Sequence, residues 1–384
     1  MNKNFHIIIY LLFITNLFGQ KTQGSFEKII DNFKNSWYNQ YSRKISDSIT
    51  SSSLYKTNQF NISISENPIV FDTLHLVIKN PYYTDDFEDY DDNYINYPVS
   101  YSVIFENKLI SLFRNGKFVC HNLLNFERDL TFEKILNTKK FKYHWIINNK
   151  IGARSIGGKT YIWDNNKWIK LETNFPLKKQ PKLFEDKEFI VFGDCHGEWG
   201  GTVYFFDKIS KVTYFTESTC TNSVFKKDGN YIVLADLGHM IGSTEIKMIE
   251  NPRLLSKAKK GEINKVKNGK ALGYNEKSEA FKKVSDYHNI QFLSTFKYGE
   301  RQLFICHLME DELTFLAEIK ENEIQIVHPF FNNGINFHNQ VTSPFGESTL
   351  INIASYDTAL DKEVSVIMIE NNKIIKIDWN ENQR

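Results

Sequence analysis

From Phe60 to Trp379 the chain alternates short apolar stretches with polar turns, and few stretches keep the three-and-four spacing of a helix. Six segments open on a polar turn and continue as a strand, starting at Asn107, Asn149, Asp186, Asp228, His288 and Glu347. The starts lie 42, 37, 42, 60 and 59 residues apart. Several units add further strands across turns rich in Asp, Asn or Lys, as in 159–172 (KTYIWDNNKWIKLE) and 364–379 (VSVIMIENNKIIKIDW). Asn and Asp tolerate the backbone of tight hairpins. Units of about 40–50 residues, each a short antiparallel meander, predict an all-β fold resembling a β-propeller of six or seven blades. The resemblance is one of periodicity, covering residues 60–379, without a family-specific repeat motif. Two β-sandwich domains divided within 252–287 would carry a similar strand count.

Three stretches break the pattern. Phe26, Ile29, Ile30, Phe33, Trp37 and Tyr41 form one apolar stripe, predicting a helix from Ser25 to about Asp47 and a serine-rich link to residue 53. Asn251-Pro252 opens a short helical segment ending at Gly261, the start of an insertion (252–287) with nine lysines between Lys257 and Lys283. At the beginning, Lys3 precedes a nearly unbroken apolar run from Phe5 to Phe18. That run is shorter than the ~20 residues needed to cross a bilayer but suits a signal-peptide core. The reading is a signal peptide over residues 1–19 and a mature chain that is secreted or periplasmic, with no membrane span.

Composition adds little beyond compartment. The net charge of +1 becomes zero once Lys3 is removed, which gives nucleic acid no reason to bind. Six carboxylates between Asp85 and Asp92 could hold calcium, but a solvated acidic loop is the simpler reading. Tyr82, Tyr83, Tyr90, Tyr94 and Tyr97 in and around it could offer a carbohydrate platform. Four cysteines (Cys120, Cys195, Cys220, Cys306) allow three pairings in an oxidising compartment. Cys195 with Cys220 is the favoured pair, and four buried free thiols are the alternative.

Side chains able to do chemistry concentrate in 189–217 (FIVFGDCHGEWGGTVYFFDKISKVTYFTE). Asp194, His196 and Glu198 alternate, so in an extended segment they share one face and could hold a divalent metal or act on a substrate. No cofactor is otherwise predicted. Asp236 and His239 recur one unit later, and the two histidines are 43 residues apart, one repeat length. Both imidazoles could then face one central opening. Against this, Gly193, Gly197, Gly200 and Gly201 suit a tight passage between blades, with Trp199 packed inside and Asp194 and His196 capping backbone. Two functions follow. One is a secreted binding protein for a glycan, peptide or protein. The other is an extracytoplasmic hydrolase or lyase using the His and Glu side chains.

Overall fold

A computed structural model describes residues 26–35, 51–82, 98–172, 175–239, 242–259, 261–263, 265–266, 270–274, 278–309, 313–331, 340–353 and 364–379. Among the described residues six sheets are formed, each an antiparallel blade to which, in two cases, a parallel strand is added. Blade I holds Pro98–Phe105, Lys108–Phe113 and Phe118–Asn122. Blade II holds Phe141–Ile147, Lys150–Ser155, Thr160–Asp164 and Lys167–Lys170. Blade III holds Lys182–Glu185, Phe189–Cys195, Gly201–Asp207 and Thr213–Glu217. Blade IV holds Thr221–Lys227, Asn230–Leu237, Ser243–Ile249 and Lys282–His288. Blade V holds Gln291–Tyr298, Arg301–Leu308, Leu313–Lys320 and Glu323–Phe331. Blade VI holds Val341–Phe345, Ser348–Asn352, Val364–Glu370 and Lys373–Asp378.

Six apolar clusters, one per blade interface, hold these sheets together. The Phe189–Phe192 run shows why the strands read as continuously apolar. Phe189 and Val191 enter the cluster shared with blade IV, while Ile190 and Phe192 enter the one shared with blade II. Successive side chains on a strand face opposite ways, so a blade buried on both faces needs apolar residues at every position. The ring closes where Leu109, Phe113 and Val119 of blade I meet Leu350, Val366 and Trp379 beside blade VI. An amide latch joins the same two blades. Ser102 N donates to Asn352 Oδ1 at 2.6 Å, and Asn352 Nδ2 donates back to Ser102 O at 3.0 Å. The architecture is a six-bladed β-propeller.

The N-terminal region is built into this ring. Asn61–Ile64 pairs parallel with the outer strand of blade V, and Asp72–Val77 pairs parallel with that of blade VI. The helix at 26–35 places Ile29 and Phe33 in the cluster between blades IV and V. The rest of the expected helix, the apolar leader and nearly all of the acidic loop lie outside the described residues. Tyr82, at the loop's edge, has its ring 5.3 Å from that of Phe113.

Two expectations are corrected. The division into two sandwiches fails because Lys282–His288 returns across the insertion to pair with Ser243–Ile249 in one sheet. The six turn markers do not all occupy one structural position. Five fall at the turn between a blade's first and second strands, whereas His288 ends blade IV's fourth strand, before the first strand of blade V. Blade IV absorbs the insertion ahead of its last strand, so the repeat loses phase there. The helical part of that insertion is a single turn, Pro252–Leu254, capped by Asn251 Oδ1 on Arg253 N. Ser256–Lys257 then lies along the edge of blade III.

Candidate functional site

The first-to-second strand turns lie at one end of the ring, and the second-to-third connections and blade links lie at the other. His196 and His239 sit in the second-to-third connections of blades III and IV. These are corresponding places in neighbouring blades.

The strand through Asp194 ends at Cys195, and Gly197–Trp199 form a 3-10 turn. The two-residue alternation therefore stops before Glu198. Asp194 Oδ1 lies 3.7 Å from His196 Nε2, whereas Glu198 Oε2 lies 3.7 Å from His239 Nε2. The first pair is sheltered, with the Asp194 side chain 7% exposed and that of His196 22%. Both members of the second pair are 53% exposed. Among the described residues no group of three His, Cys, Asp or Glu side chains is arranged to hold a metal ion. Trp199, expected between blades, is 58% exposed on the same turn.

Asp236 sits deeper. Its Oδ1 accepts from Asn222 and Gln340, and its Oδ2 from Gln291 at 2.7 Å. Those three amides come from blade IV, blade V and the entry to blade VI. Burial pushes its carboxyl up to about 6 despite the three donors. With every bond satisfied from within the protein, Asp236 ties three blades together behind the site.

Cys195 and Cys220 are joined as a disulfide, while Cys120 and Cys306 are buried free thiols. The bridge links the end of blade III's second strand to the passage into blade IV, beside Gly201. A Cβ at Gly201 would stand 2.6 Å from Asp194 O, 2.7 Å from Ser218 O and 2.9 Å from Cys220 N. All three are backbone atoms, which do not swing aside. Gly201→Ala is expected to cost about 3 kcal/mol through forced backbone shifts, read as a lowered denaturation midpoint. Wild-type stability would show that the crossing relaxes freely.

Above the bridge lies a pocket of about 180 Å³. Tyr101 of blade I, Asp194 and Cys195 of blade III, and Gln340 and Val341 at blade VI line it, which places it at the ring axis. Gln180 and His196 complete its polar wall. Three of its lining residues carry a buried side-chain atom with no hydrogen-bond partner in the protein, Gln180 Nε2, Asp194 Oδ1 and His196 Nε2, the last two being the 3.7 Å pair. The other oxygen of Asp194 accepts from Tyr204 Oη at 2.9 Å. Burial raises the Asp194 carboxyl above its usual range, and Tyr204 and His196 pull the other way. Gln180, Asp194 and His196 therefore each bring to the wall of this one cavity a polar group whose hydrogen bonding is incomplete within the protein.

No protein-family model matches this sequence, and no curated protein matches it. Among solved structures the chain is similar to BamB from Moraxella catarrhalis, at 10% identity and a TM-score of 0.35, over 67% of this chain and 82% of that one. It is similar to the computationally designed Ika8 protein at 9% identity and a TM-score of 0.36, over 72% and 85% of the two chains. Hsv2 of Kluyveromyces lactis aligns at 13% identity and a TM-score of 0.33, over 67% and 70%. The six-bladed ring rests on its own strand pairing and interface clusters.

The opposite end of the axis carries a wider basin of about 1040 Å³. Several of its charges pair with one another: Glu185 meets Lys182 at 3.0 Å and Lys208 at 2.6 Å, and Lys150 meets Asp164 at 2.7 Å. Nothing in the sequence pattern pointed to this basin, because its walls come from turns of four blades.

Proposed function

We propose that this chain is an extracytoplasmic binding module that takes a small polar group of its ligand into the axial pocket. The carrying observation is that Gln180, Asp194 and His196, each with one side-chain atom lacking a hydrogen-bond partner, line one cavity. The disulfide supports a location outside the cytoplasm, where such bonds form and persist. The apolar run at Phe5–Phe18 supports the same reading as a cleaved signal. The ligand belongs to a glycan, peptide or protein partner, and the propeller supplies a rigid ring on which to hold it. Glu198 and His239, the exposed pair on the second-to-third connections of blades III and IV, serve as its rim in this reading. Cys195 is committed to the disulfide and offers no thiolate, which leaves the site without a cysteine nucleophile.

A library of polar fragments, screened on the purified mature chain by protein-observed NMR, tests this. Binders should shift the His196 imidazole resonances. Asp194→Ala should weaken them about tenfold, as loss of one hydrogen bond to a charged group predicts. His239→Ala should leave them nearly unchanged. Binders that ignore Asp194 and His196 would move the site elsewhere.

A further inference from the structure

The chain as a whole is nearly neutral, but its charge is unevenly spread. Between Glu133 and Asp164 the sequence holds seven lysines and arginines and no aspartate or glutamate. The fold gathers most of these cations at the axial-pocket end of blade II. Lys139, Lys140 and Lys142 lie at the entry to its first strand, and Arg154 and Lys159 flank its second-to-third turn. Lys117 sits on the corresponding turn of blade I, held alongside by Phe141 N donating to Gly116 O at 3.1 Å. Lys178 and Lys179 continue the run in the link to blade III, where both backbone nitrogens donate to Gln180 Oε1. These lysines are exposed and Arg154 is half-buried, and none of them joins an ion pair among the described residues. The next carboxylate along the chain at this end, Glu172, is already paired with Lys170 at 2.9 Å. At the opposite end of the same blade Lys150 meets Asp164. Unpaired charges of one sign repel one another, and a partner of opposite sign relieves that cost.

We propose that this face docks on an anionic bilayer surface. The cations lie on turns and links at one end of the ring, so they can approach a single plane together. Nearly all are lysines, compact charges that suit a diffuse negative surface, whereas a fixed set of carboxylates favours the bidentate fork of arginine. An aliphatic side chain stands among them. Ile156, between Arg154 and Lys159 in the chain, is 63% exposed at the tip of the blade II turn. A Cβ at the adjoining Gly157 would meet nothing within 4 Å, so the tip projects into open space. A soluble polyanion offers that side chain no apolar surroundings. A bilayer takes it at the boundary of headgroups and acyl chains while the lysines stay at headgroup level.

Co-sedimentation of the purified mature chain with phosphatidylcholine vesicles, with and without about one third phosphatidylglycerol, tests this. Binding should require the anionic lipid and weaken at least tenfold between about 50 and 500 mM salt, as the screening length shrinks. A lysine near the surface is expected to contribute about fivefold, so Lys139→Ala/Lys140→Ala/Lys159→Ala should weaken binding about a hundredfold. Ile156→Ser should weaken it about tenfold and leave the salt dependence as it is. All four side chains are exposed, and urea midpoints equal to wild type will show that the variants fold. Heparin and polyglutamate are run beside the vesicles. Capture of either while the vesicles stay silent would overturn the bilayer assignment and give the patch to a soluble polyanion or an acidic protein. Vesicle binding that survives in the triple variant, or no binding by any probe, overturns it as well.

Discussion

Between pH 7 and pH 5 the propeller is expected to lose about 5 kcal/mol of stability. Four histidines carry this effect. His121 and His144 are each 1% exposed and His328 is 8% exposed, and all three sit inside the ring. His144 bonds Ser100 Oγ at 2.9 Å and Ile110 O at 3.2 Å, and His328 bonds Ile69 O at 3.0 Å. The fourth, His307, bonds Thr314 Oγ1 at 2.9 Å. Burial lowers each imidazole from 6.5 to about 4. The unfolded chain therefore binds protons that the folded one refuses between pH 6.5 and 4, and stability falls as pH drops through that window. Each group contributes about 1–2 kcal/mol by pH 5. Asp236 works in the opposite direction. Its carboxyl rises from 3.8 to about 6 on folding, so its contribution is largest below 3.8 and disappears as pH rises through 6. It returns about 1 kcal/mol over the same interval. Urea midpoints measured at several pH values should show the fall, and Asp236→Asn should steepen it. The Cε1 proton lines of the four histidines should stay unshifted down to about pH 5. Titration of all four near 6.5 would sink the prediction.

Much of the ring was legible because a propeller repeats a local unit. The turns at Asn107, Asn149, Asp186, Asp228 and Glu347 mark successive blades, and Asn107, Asn149 and Asp228 adopt positive φ there (57°, 57° and 49°). What escaped was non-local. The strand at Asn61–Ile64 meets Glu323–Phe331 across more than 250 residues of chain, in parallel, and no pattern in either segment announces the other. The marker at His288 misled because its polar-then-apolar spelling suits the start of any strand. Only pairing tells which strand of the blade it is.

The site was half legible for similar reasons. Asp194 and His196 stand out as polar residues at the end of the FIVF run. Gln180, which also lines the pocket, lies in the irregular link between blades II and III, where no periodicity singles out a residue. Glu198 was grouped with the wrong histidine because alternation assumes a strand, and Gly197 (φ 60°) with Gly200 (φ 89°) turns the chain instead. Asp236 read as a ligand candidate because its three amide partners are Asn222, Gln291 and Gln340, up to 104 residues away.

Reduction of the Cys195–Cys220 bridge is expected to destabilise the protein by about 3–4 kcal/mol, the loop-closure entropy of a 25-residue separation. For a chain of this size that is a fall of roughly 5 °C in Tm. The same bridge forms one wall of the axial pocket, where Cys195, His196, Cys220 and Thr221 all line the cavity. Its loss should therefore weaken ligand binding as well as stability. Cys220 also holds a left-handed backbone (φ 56°), which costs a residue with a Cβ about 1–2 kcal/mol. Cys195→Ala/Cys220→Gly should for that reason recover about 1 kcal/mol relative to Cys195→Ala/Cys220→Ala, since glycine takes that conformation freely. Urea midpoints of wild type with and without dithiothreitol, and of both double variants, separate the two contributions. A midpoint that ignores dithiothreitol while mass spectrometry shows the bridge reduced would mean that blade packing alone holds the crossing. Fragment binding measured on the same samples then reports whether His196 keeps its place once the wall beside it is untied.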